Sequence, residues 1–140
     1  MGSNLATAME EHYKTFITEQ DFADIANAGL NWVRIPLGYW AIEVQGDEPY
    51  LPKVSWTYFL KAVSWARKYG IRIYLDFHGL PGSQNGWNHS GKGGVVKWMY
   101  GIMGLVNAQR SLENIRTLTE FISQDGIKEV VPMYVVSSLS

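Results

Sequence analysis

Two apolar stretches and the segment between them decide the fold: Leu-Asn-Trp-Val-Arg-Ile-Pro-Leu at residues 30–37 and Ile-Arg-Ile-Tyr-Leu-Asp-Phe at residues 71–77. Both are rich in β-branched and aromatic residues, which is typical of buried strands, and Pro36 with Gly38 marks the end of the first. Between them a helix is predicted, with Ser55 as its N-cap and Gly70 as its end. Its buried stripe has the three-four spacing of one helix face and consists of Trp56, Phe59, Leu60, Val63 and Ala66. A strand, a helix and a strand in this order predict a β-α-β unit with two parallel strands.

Further elements are predicted on both sides of this unit. Thr18 and the acidic residues after it indicate the start of a helix over residues 19–28, which ends at Gly29. Residues 79–94 are rich in glycine, so a long loop is predicted there. A third helix is predicted from an N-cap at Ser111 to about Ser123, and a last strand from 129 to 136. The buried stripe of that third helix is predicted to be Leu112, Ile115, Leu118 and Ile122. The order of elements favours an α/β fold in a single domain over residues 1–140.

Composition excludes several classes of function. The 12 basic and 13 acidic residues give a net charge of -1, which offers no electrostatic reason for a nucleic-acid or anionic-membrane partner. No apolar run reaches the roughly 18 to 20 residues of a membrane-spanning helix. The chain has no cysteine, and its three histidines do not form a ligand cluster, so neither a metal nor another cofactor is predicted. The first residues lack the basic and apolar regions of a signal peptide.

Polar residues collect where the predicted parallel strands end. Such strand ends share one edge of the sheet, which is where reactive groups gather in α/β folds. Asp76 and His78 lie on one face of their strand because side chains alternate, and a suitable register adds Arg34 from the neighbouring strand. We therefore predict an ion pair between Arg34 and Asp76. Taken singly, a partly buried histidine or a surface arginine is more often structural than functional.

Three blocks of the sequence are distinctive. They read Thr-Phe-Ile-Thr-Glu-Gln-Asp-Phe at 15–22, Gly-Leu-Asn-Trp-Val-Arg-Ile-Pro-Leu-Gly-Tyr-Trp at 29–40, and Asp-Phe-His-Gly-Leu-Pro-Gly-Ser-Gln-Asn-Gly-Trp at 76–87. Together they resemble fungal exo-β-1,3-glucanases of glycoside hydrolase family five. The resemblance runs from about His12 to Tyr134. It implies part of a (β/α)8 barrel, about strands two to four with their helices, because a whole barrel takes about 250 residues. It also implies a monomeric extracellular or cell-wall enzyme that releases glucose from β-glucan.

The resemblance implies roles for individual residues. Arg34 matches the arginine that holds the nucleophilic glutamate, and His78 matches a histidine that lines the sugar pocket. Substrate binding is implied for four residues in the two loops that follow the strands, namely Tyr39, Trp40, Asn85 and Trp87. Aromatic rings such as these suit stacking on the faces of sugars.

The two catalytic glutamates implied by the resemblance have no counterpart. In the family the fourth strand runs on into Asn-Glu-Pro, whereas here residues 135–140 read Val-Val-Ser-Ser-Leu-Ser, a divergent tail in which Leu139 or a neighbour stands in place of the glutamate. Retaining hydrolysis needs two carboxyl groups about 5 to 5.5 Å apart. The 140-residue chain is therefore predicted to contain no catalytic residue and to be inactive by itself.

Two other functions stay open at this point. The chain could be a glucan-binding remnant that uses an aromatic platform of Trp40, Trp87 and Trp98 without hydrolysis. It could also be a structural piece with no function of its own, because an open parallel sheet exposes apolar surface that a complete barrel covers. Affinity for laminarin oligosaccharides and release of glucose distinguish these possibilities.

Overall fold

The computed structural model describes residues 4–46, 48–83 and 94–137. Within these residues there are four helices, α1 to α4, and three strands, β1 to β3; after two initial helices, strands and helices alternate as expected of an α/β protein. In chain order the elements are α1 (Leu5–Thr15), α2 (Glu19–Asn27), β1 (Trp32–Leu37), a short 3-10 turn (Tyr39–Ala41), α3 (Val54–Tyr69), β2 (Arg72–His78), α4 (Gly101–Ile122) and β3 (Met133–Ser137).

The three strands form one parallel sheet in the order β1-β2-β3. Pro36 of β1 lies opposite Asp76 of β2, and Asp76 lies opposite Val135 of β3. The predicted β-α-β unit is therefore confirmed, with α3 as the crossover helix. Because all strands run the same way, the carboxyl ends of β1, β2 and β3 meet at one edge of the sheet.

One face of the sheet packs on the helices and forms the core. Ile73, Leu75 and Phe77 alternate along β2 and have no exposed surface, because they lie beneath Ala66 of α3 and Leu118 of α4, which are also fully buried. The opposite face carries Trp32, Arg34, Tyr74 and Met133, which line an open cleft. The alternation inferred from the sequence thus separates a core face from a polar and open face.

The ends of α3 differ slightly from the sequence prediction. The helix begins at Val54, after Lys53 in a left-handed conformation, so Ser55 lies inside the first turn instead of capping it. Phe59, Val63 and Ala66 are buried as predicted, but Leu60 is 40% exposed. Gly70 ends the helix with a positive φ of 70°, which a glycine adopts without steric cost.

The prediction for α4 was wrong about its start. The helix begins at Gly101, ten residues before the predicted cap, and Ser111 lies inside it, where its hydroxyl donates to the carbonyl of Asn107 at 2.8 Å. Leu118 is buried, but Leu112 is 60% exposed. The periodic apolar signal fails because the first half of α4 buries the polar residues Asn107, Arg110 and Ser111, and Asn114 follows them in the next turn.

Strand β3 and helix α1 also differ from the sequence prediction. β3 begins at Met133, because the chain from Gln124 to Val131 forms turns closed by backbone hydrogen bonds to the carbonyl groups of Gln124 and Ile127. The sequence did not predict α1, which has no buried residue and packs on α3 through the stacked rings of Tyr13 and Tyr58, 5.4 Å apart. In the part of the chain described, no helix has the length and hydropathy needed to cross a membrane.

Candidate active site

A buried carboxylate lies at the carboxyl edge of the sheet. The side chain of Asp76 has no exposed surface, and its Oδ2 atom accepts a hydrogen bond from Nη2 of Arg34. Nδ1 of His78 lies 3.2 Å from the same oxygen. The predicted ion pair between Arg34 and Asp76 is confirmed, and His78 joins it from the same strand.

The register explains how these three side chains meet. Arg34 lies opposite Tyr74, two residues before Asp76 along the strand direction, and its long side chain spans that offset on the face they share. The Arg34 side chain is 57% exposed, whereas that of His78 is 30% exposed. A hydrogen bond from Nδ1 to a carboxylate requires the proton on Nδ1, which leaves Nε2 as an acceptor in the neutral ring. The site therefore offers a cation and an imidazole edge above a buried anion.

The aromatic residues predicted to bind substrate lie in the loop that follows β1. The Tyr39 ring is 2% exposed, and its hydroxyl donates to Oε1 of Glu48 at 2.8 Å. Trp40 is half-buried, and its ring stacks on Tyr50 at 4.4 Å between centroids. One face of the Trp40 ring is thus already occupied by protein. The backbone N–H of Tyr39 donates to the carbonyl of Gly79 at 3.3 Å, which ties this loop to the end of β2.

Asn85 and Trp87, the other two residues predicted to bind substrate, lie outside the described residues. Trp98, the third ring of the suggested aromatic platform, is described. It packs against the core, and its indole N–H donates to the hydroxyl of Ser111 at 3.1 Å. The structure therefore brings Arg34, Asp76 and His78 together, whereas much of the Trp98 side chain is packed against the core.

Sequence reasoning missed a second charged cluster beside this site. Glu48 accepts two hydrogen bonds from Arg110 of α4, with Nη1 to Oε1 at 3.0 Å and Nη2 to Oε2 at 3.3 Å. The backbone N–H of Gln45 donates to Oε2 at 2.8 Å, and Tyr39 donates to Oε1. The side chain of Arg110 is 8% exposed and that of Glu48 16% exposed. No local pattern signals the pair, because its members are 62 residues apart.

The environment of this cluster shifts the pKa values of its members. Burial opposes ionisation of Glu48, but hydrogen bonds from Arg110, Gln45 and Tyr39 outweigh it, so the pKa of Glu48 lies below its ordinary value. Burial, reinforced by the negative charge of Glu48, raises the pKa of Tyr39. Burial lowers the pKa of Arg110, but its bond to Glu48 more than compensates, so that pKa is raised. The cluster therefore holds a guanidinium, a carboxylate and a neutral phenol.

Metal binding finds no support in the residues that the structure describes. Across 4–46, 48–83 and 94–137, no three His, Cys, Asp or Glu side chains lie close enough to hold a metal ion. The chemistry that the site offers is that of an arginine, a carboxylate and an imidazole.

Comparison with known proteins identifies the class and then the family. The parallel strands, with polar groups at their carboxyl ends, are part of a (β/α)8 barrel of the glycoside hydrolase class. Residues 2–128 match the family described as cellulase (glycosyl hydrolase family 5), and the chain belongs to that family. The resemblance inferred from the sequence and the barrel fold are both confirmed.

Curated relatives are identical to this chain at about half of the aligned positions. It is 54% identical over 134 residues to "Probable glucan 1,3-beta-glucosidase D" of Aspergillus niger and 52% identical to "Glucan 1,3-beta-glucosidase D" of Emericella nidulans. Each match covers 96% of this chain but 16% of the relative. The chain thus spans less than one fifth of the length of these relatives.

Solved structures show the same arrangement of elements. The rutinosidase from Aspergillus niger superposes with a TM-score of 0.82 at 26% identity, which covers 96% of this chain and 36% of that one. A structure described as AoRut gives a TM-score of 0.79 at 29% identity with the same coverage. In a complete barrel, β1 to β3 correspond to about strands two to four. An apolar cavity of about 530 Å³ lies along β1 and is also lined by residues of α1, α2 and α3.

Proposed function

We propose that this chain forms strands two to four of a secreted or cell-wall barrel that hydrolyses O-glycosyl bonds and releases glucose from the ends of β-1,3-glucan. The single observation that supports it best is the cluster of Arg34, Asp76 and His78 at the carboxyl edge of the sheet, in a chain 54% identical to a protein described as a glucan glucosidase. In barrels of this kind the active site lies at that edge.

The proposed role of Arg34 follows from its geometry. A guanidinium carries five N–H donors in a fixed plane, so one hydrogen bond to Asp76 leaves donors for a second carboxylate. Asp76 is buried and fixes the position of that plane, while more than half of the Arg34 side chain is exposed at the open face of the sheet. In the complete barrel, Arg34 would hold the nucleophilic glutamate, and His78 would line the pocket for the terminal glucose.

Hydrolysis itself is proposed to require carboxylates that residues 1–140 do not supply. A retaining mechanism needs one carboxyl group as acid and a second as nucleophile, about 5 to 5.5 Å apart. Asp76 is paired with Arg34, and Glu48 is paired with Arg110. We therefore expect the 140-residue chain to bind β-glucan through its loops and not to cleave it. Binding without hydrolysis is also what the remnant hypothesis predicts, and Trp40, which is half-buried and stacks on Tyr50, would then contact a sugar with the part of its ring that stays exposed.

Titration calorimetry with laminarin oligosaccharides, together with an assay for released glucose, tests this proposal. The matched variants are Arg34→Lys and Arg116→Lys, because Arg116 is an arginine on α4 with an 80% exposed side chain. We expect the unsubstituted chain to bind without releasing glucose, and Arg34→Lys alone to weaken binding. Glucose release by the 140-residue chain would contradict the proposed inactivity, and equal affinity for a β-1,4-linked oligosaccharide would contradict the proposed substrate.

A further inference from the structure

The N-terminal half of α4 has its polar side facing the protein. The buried side chains of this half are polar, at Asn107, Arg110 and Ser111, and Asn114 continues the polar side into the next turn, whereas Ile102 and Leu105 on the opposite side are 84% and 64% exposed. A helix on the surface of a protein normally buries its apolar stripe. Buried polar groups are retained where they find hydrogen-bond partners, so the partners of this face show what the helix holds.

Two of these side chains hold the loop that follows β2. Nδ2 of Asn107 donates to the carbonyl of Lys97 at 2.8 Å, and Ser111 accepts the indole N–H of Trp98 at 3.1 Å. The same segment returns to the end of β2 through Lys97, whose N–H donates to the carbonyl of Gly82 at 2.7 Å. A Cβ atom at Gly82 would lie 2.6 Å from the backbone carbonyl oxygen of Lys97, and Gly82 has a positive φ of 76°, so this position requires glycine.

Arg110 holds the other loop, the one that follows β1. Its two hydrogen bonds to Glu48 fix both the position and the orientation of the Glu48 carboxylate, because the planar guanidinium matches the carboxylate geometry. Glu48 in turn accepts a hydrogen bond from the Tyr39 hydroxyl and so holds the Tyr39 side chain. The Arg110 guanidinium lies 5.6 Å from the centre of the Tyr39 ring. Tyr39 lies beside Trp40 and is bonded to Gly79 at the end of β2. A chain of direct contacts thus runs from α4 to the edge of the sheet that carries Asp76 and His78.

We infer that Arg110 and Glu48 are positioning residues for glucan binding: the pair fastens the loop after β1 to α4 and thereby holds Tyr39 and Trp40 beside the site at Asp76. This inference rests on the proposed function, since it assigns Trp40 to the sugar site. A second arginine on the same helix shows the contrast. Arg116 pairs with Glu120 of the same helix at 2.8 Å, and its side chain is 80% exposed.

The experiment compares Arg110→Met with Arg116→Met in the 140-residue chain. Hydrogen exchange of the backbone amides in residues 38–46 reports on the loop, and the amides of β2 report on the sheet. We expect about tenfold faster exchange in the loop of Arg110→Met with β2 unchanged, which corresponds to about 1.4 kcal/mol. Affinity for a laminarin oligosaccharide is expected to fall by a similar factor. Arg116→Met is expected to change neither, and Arg110→Lys is expected to restore part of both, since lysine keeps the charge but loses the two-bond geometry.

The possible results separate this inference from the proposed function. Exchange in Arg110→Met equal to that in Arg116→Met would overturn the inference, and so would faster exchange with full glucan affinity. If the unsubstituted chain binds no β-glucan, the proposed function fails. In that case the hydrogen-exchange data test only whether the Arg110–Glu48 pair fastens the loop after β1 to α4. Faster loop exchange in Arg110→Met and Glu48→Gln supports this, and unchanged exchange contradicts it.

Discussion

Asp76 of β2 is bound by Arg34 of the neighbouring strand, although the two residues are offset by two positions in the register. The carboxylate is fully buried while the arginine side chain is 57% exposed. The partners therefore differ in what they lose when the pair is broken: Arg34 can be solvated in place, but Asp76 cannot.

Arg34→Met is accordingly expected to destabilise the chain. A hydrogen bond to a charged group contributes about 1.5 to 3 kcal/mol, and the exposure of Arg34 reduces this, so we expect a loss of about 1 to 2 kcal/mol in the free energy of unfolding. Urea unfolding followed by tryptophan fluorescence measures it. Asp76→Asn should cost less, because it removes the buried charge, and the double variant should recover part of the loss. Fully additive losses would show that the pair does not contribute to stability.

Gly38→Ala is expected to disturb the aromatic pair in the loop after β1. A Cβ atom at Gly38 would lie 2.3 Å from Cζ2 of Trp40, so the ring must move away from its position on Tyr50. Overpacking of this kind costs about 1 to 3 kcal/mol. Gly46→Ala in the same loop is the control, because among the described residues no atom beyond its chain neighbours lies within 4 Å of its Cβ position, and a change below about 0.5 kcal/mol is expected there. Equal effects of the two variants would contradict the packing seen for Trp40.

The Glu48 cluster predicts a pH dependence of stability. The pKa of Glu48 is lowered in the folded chain, so its contribution is full above the unfolded value of about 4.3 and is lost as the pH falls through the folded value. Of the groups that face it, Tyr39 and Arg110 keep their protons throughout this range, since their pKa values are raised, and Glu43 lies on the far side of Arg110, with Oε2 3.9 Å from Nε.

Urea unfolding of the unsubstituted chain and of Glu48→Gln between pH 6 and pH 3 tests this dependence. We expect the difference in unfolding free energy between the two to shrink as the pH falls. The same comparison in an Arg110→Met background should show a smaller change, because the guanidinium that lowers the pKa is gone. A difference that stays constant from pH 6 to pH 3 would be the contrary result.

The exposed apolar side of α4 predicts self-association of the chain. Ile102, Leu105 and Leu112 are 84%, 64% and 60% exposed, and contiguous apolar surface of this kind favours association. Leu105→Lys is expected to shift the chain towards the monomer in sedimentation velocity. Gln109→Lys adds the same charge to an exposed position without removing apolar area, and it should have a weaker effect. A monomeric unsubstituted chain at all concentrations would show that this surface does not self-associate.

The sequence predicted the elements that local signals control. Strand β2 was predictable from the alternation of apolar residues in 71–77, and α3 from the three-four spacing around Phe59 and Val63. In both elements the apolar residues mark the face that is buried. The pairing of Arg34 with Asp76 was also predictable, since it needs only parallel strands and the alternation of side chains. These features depend on short-range geometry.

Other features depended on partners far away in the chain. The first half of α4 escaped prediction because its buried side is polar, and its side chains bond to Lys97, Trp98 and Glu48, which lie outside the helix. The resemblance implied substrate binding for Tyr39, which the structure buries, and Glu48 was not predicted at all.

What the sequence by itself determined is the β-α-β unit, the family and the charged residues at the carboxyl edge of the sheet. Each of these depends on the spacing or identity of residues that are close together in the chain. What only the tertiary structure decided is how the two loops above that edge are held. A hydrogen bond between Arg110 and Glu48 joins residues 62 positions apart, and burial of a charged pair is a property of the folded surroundings, which no local pattern records.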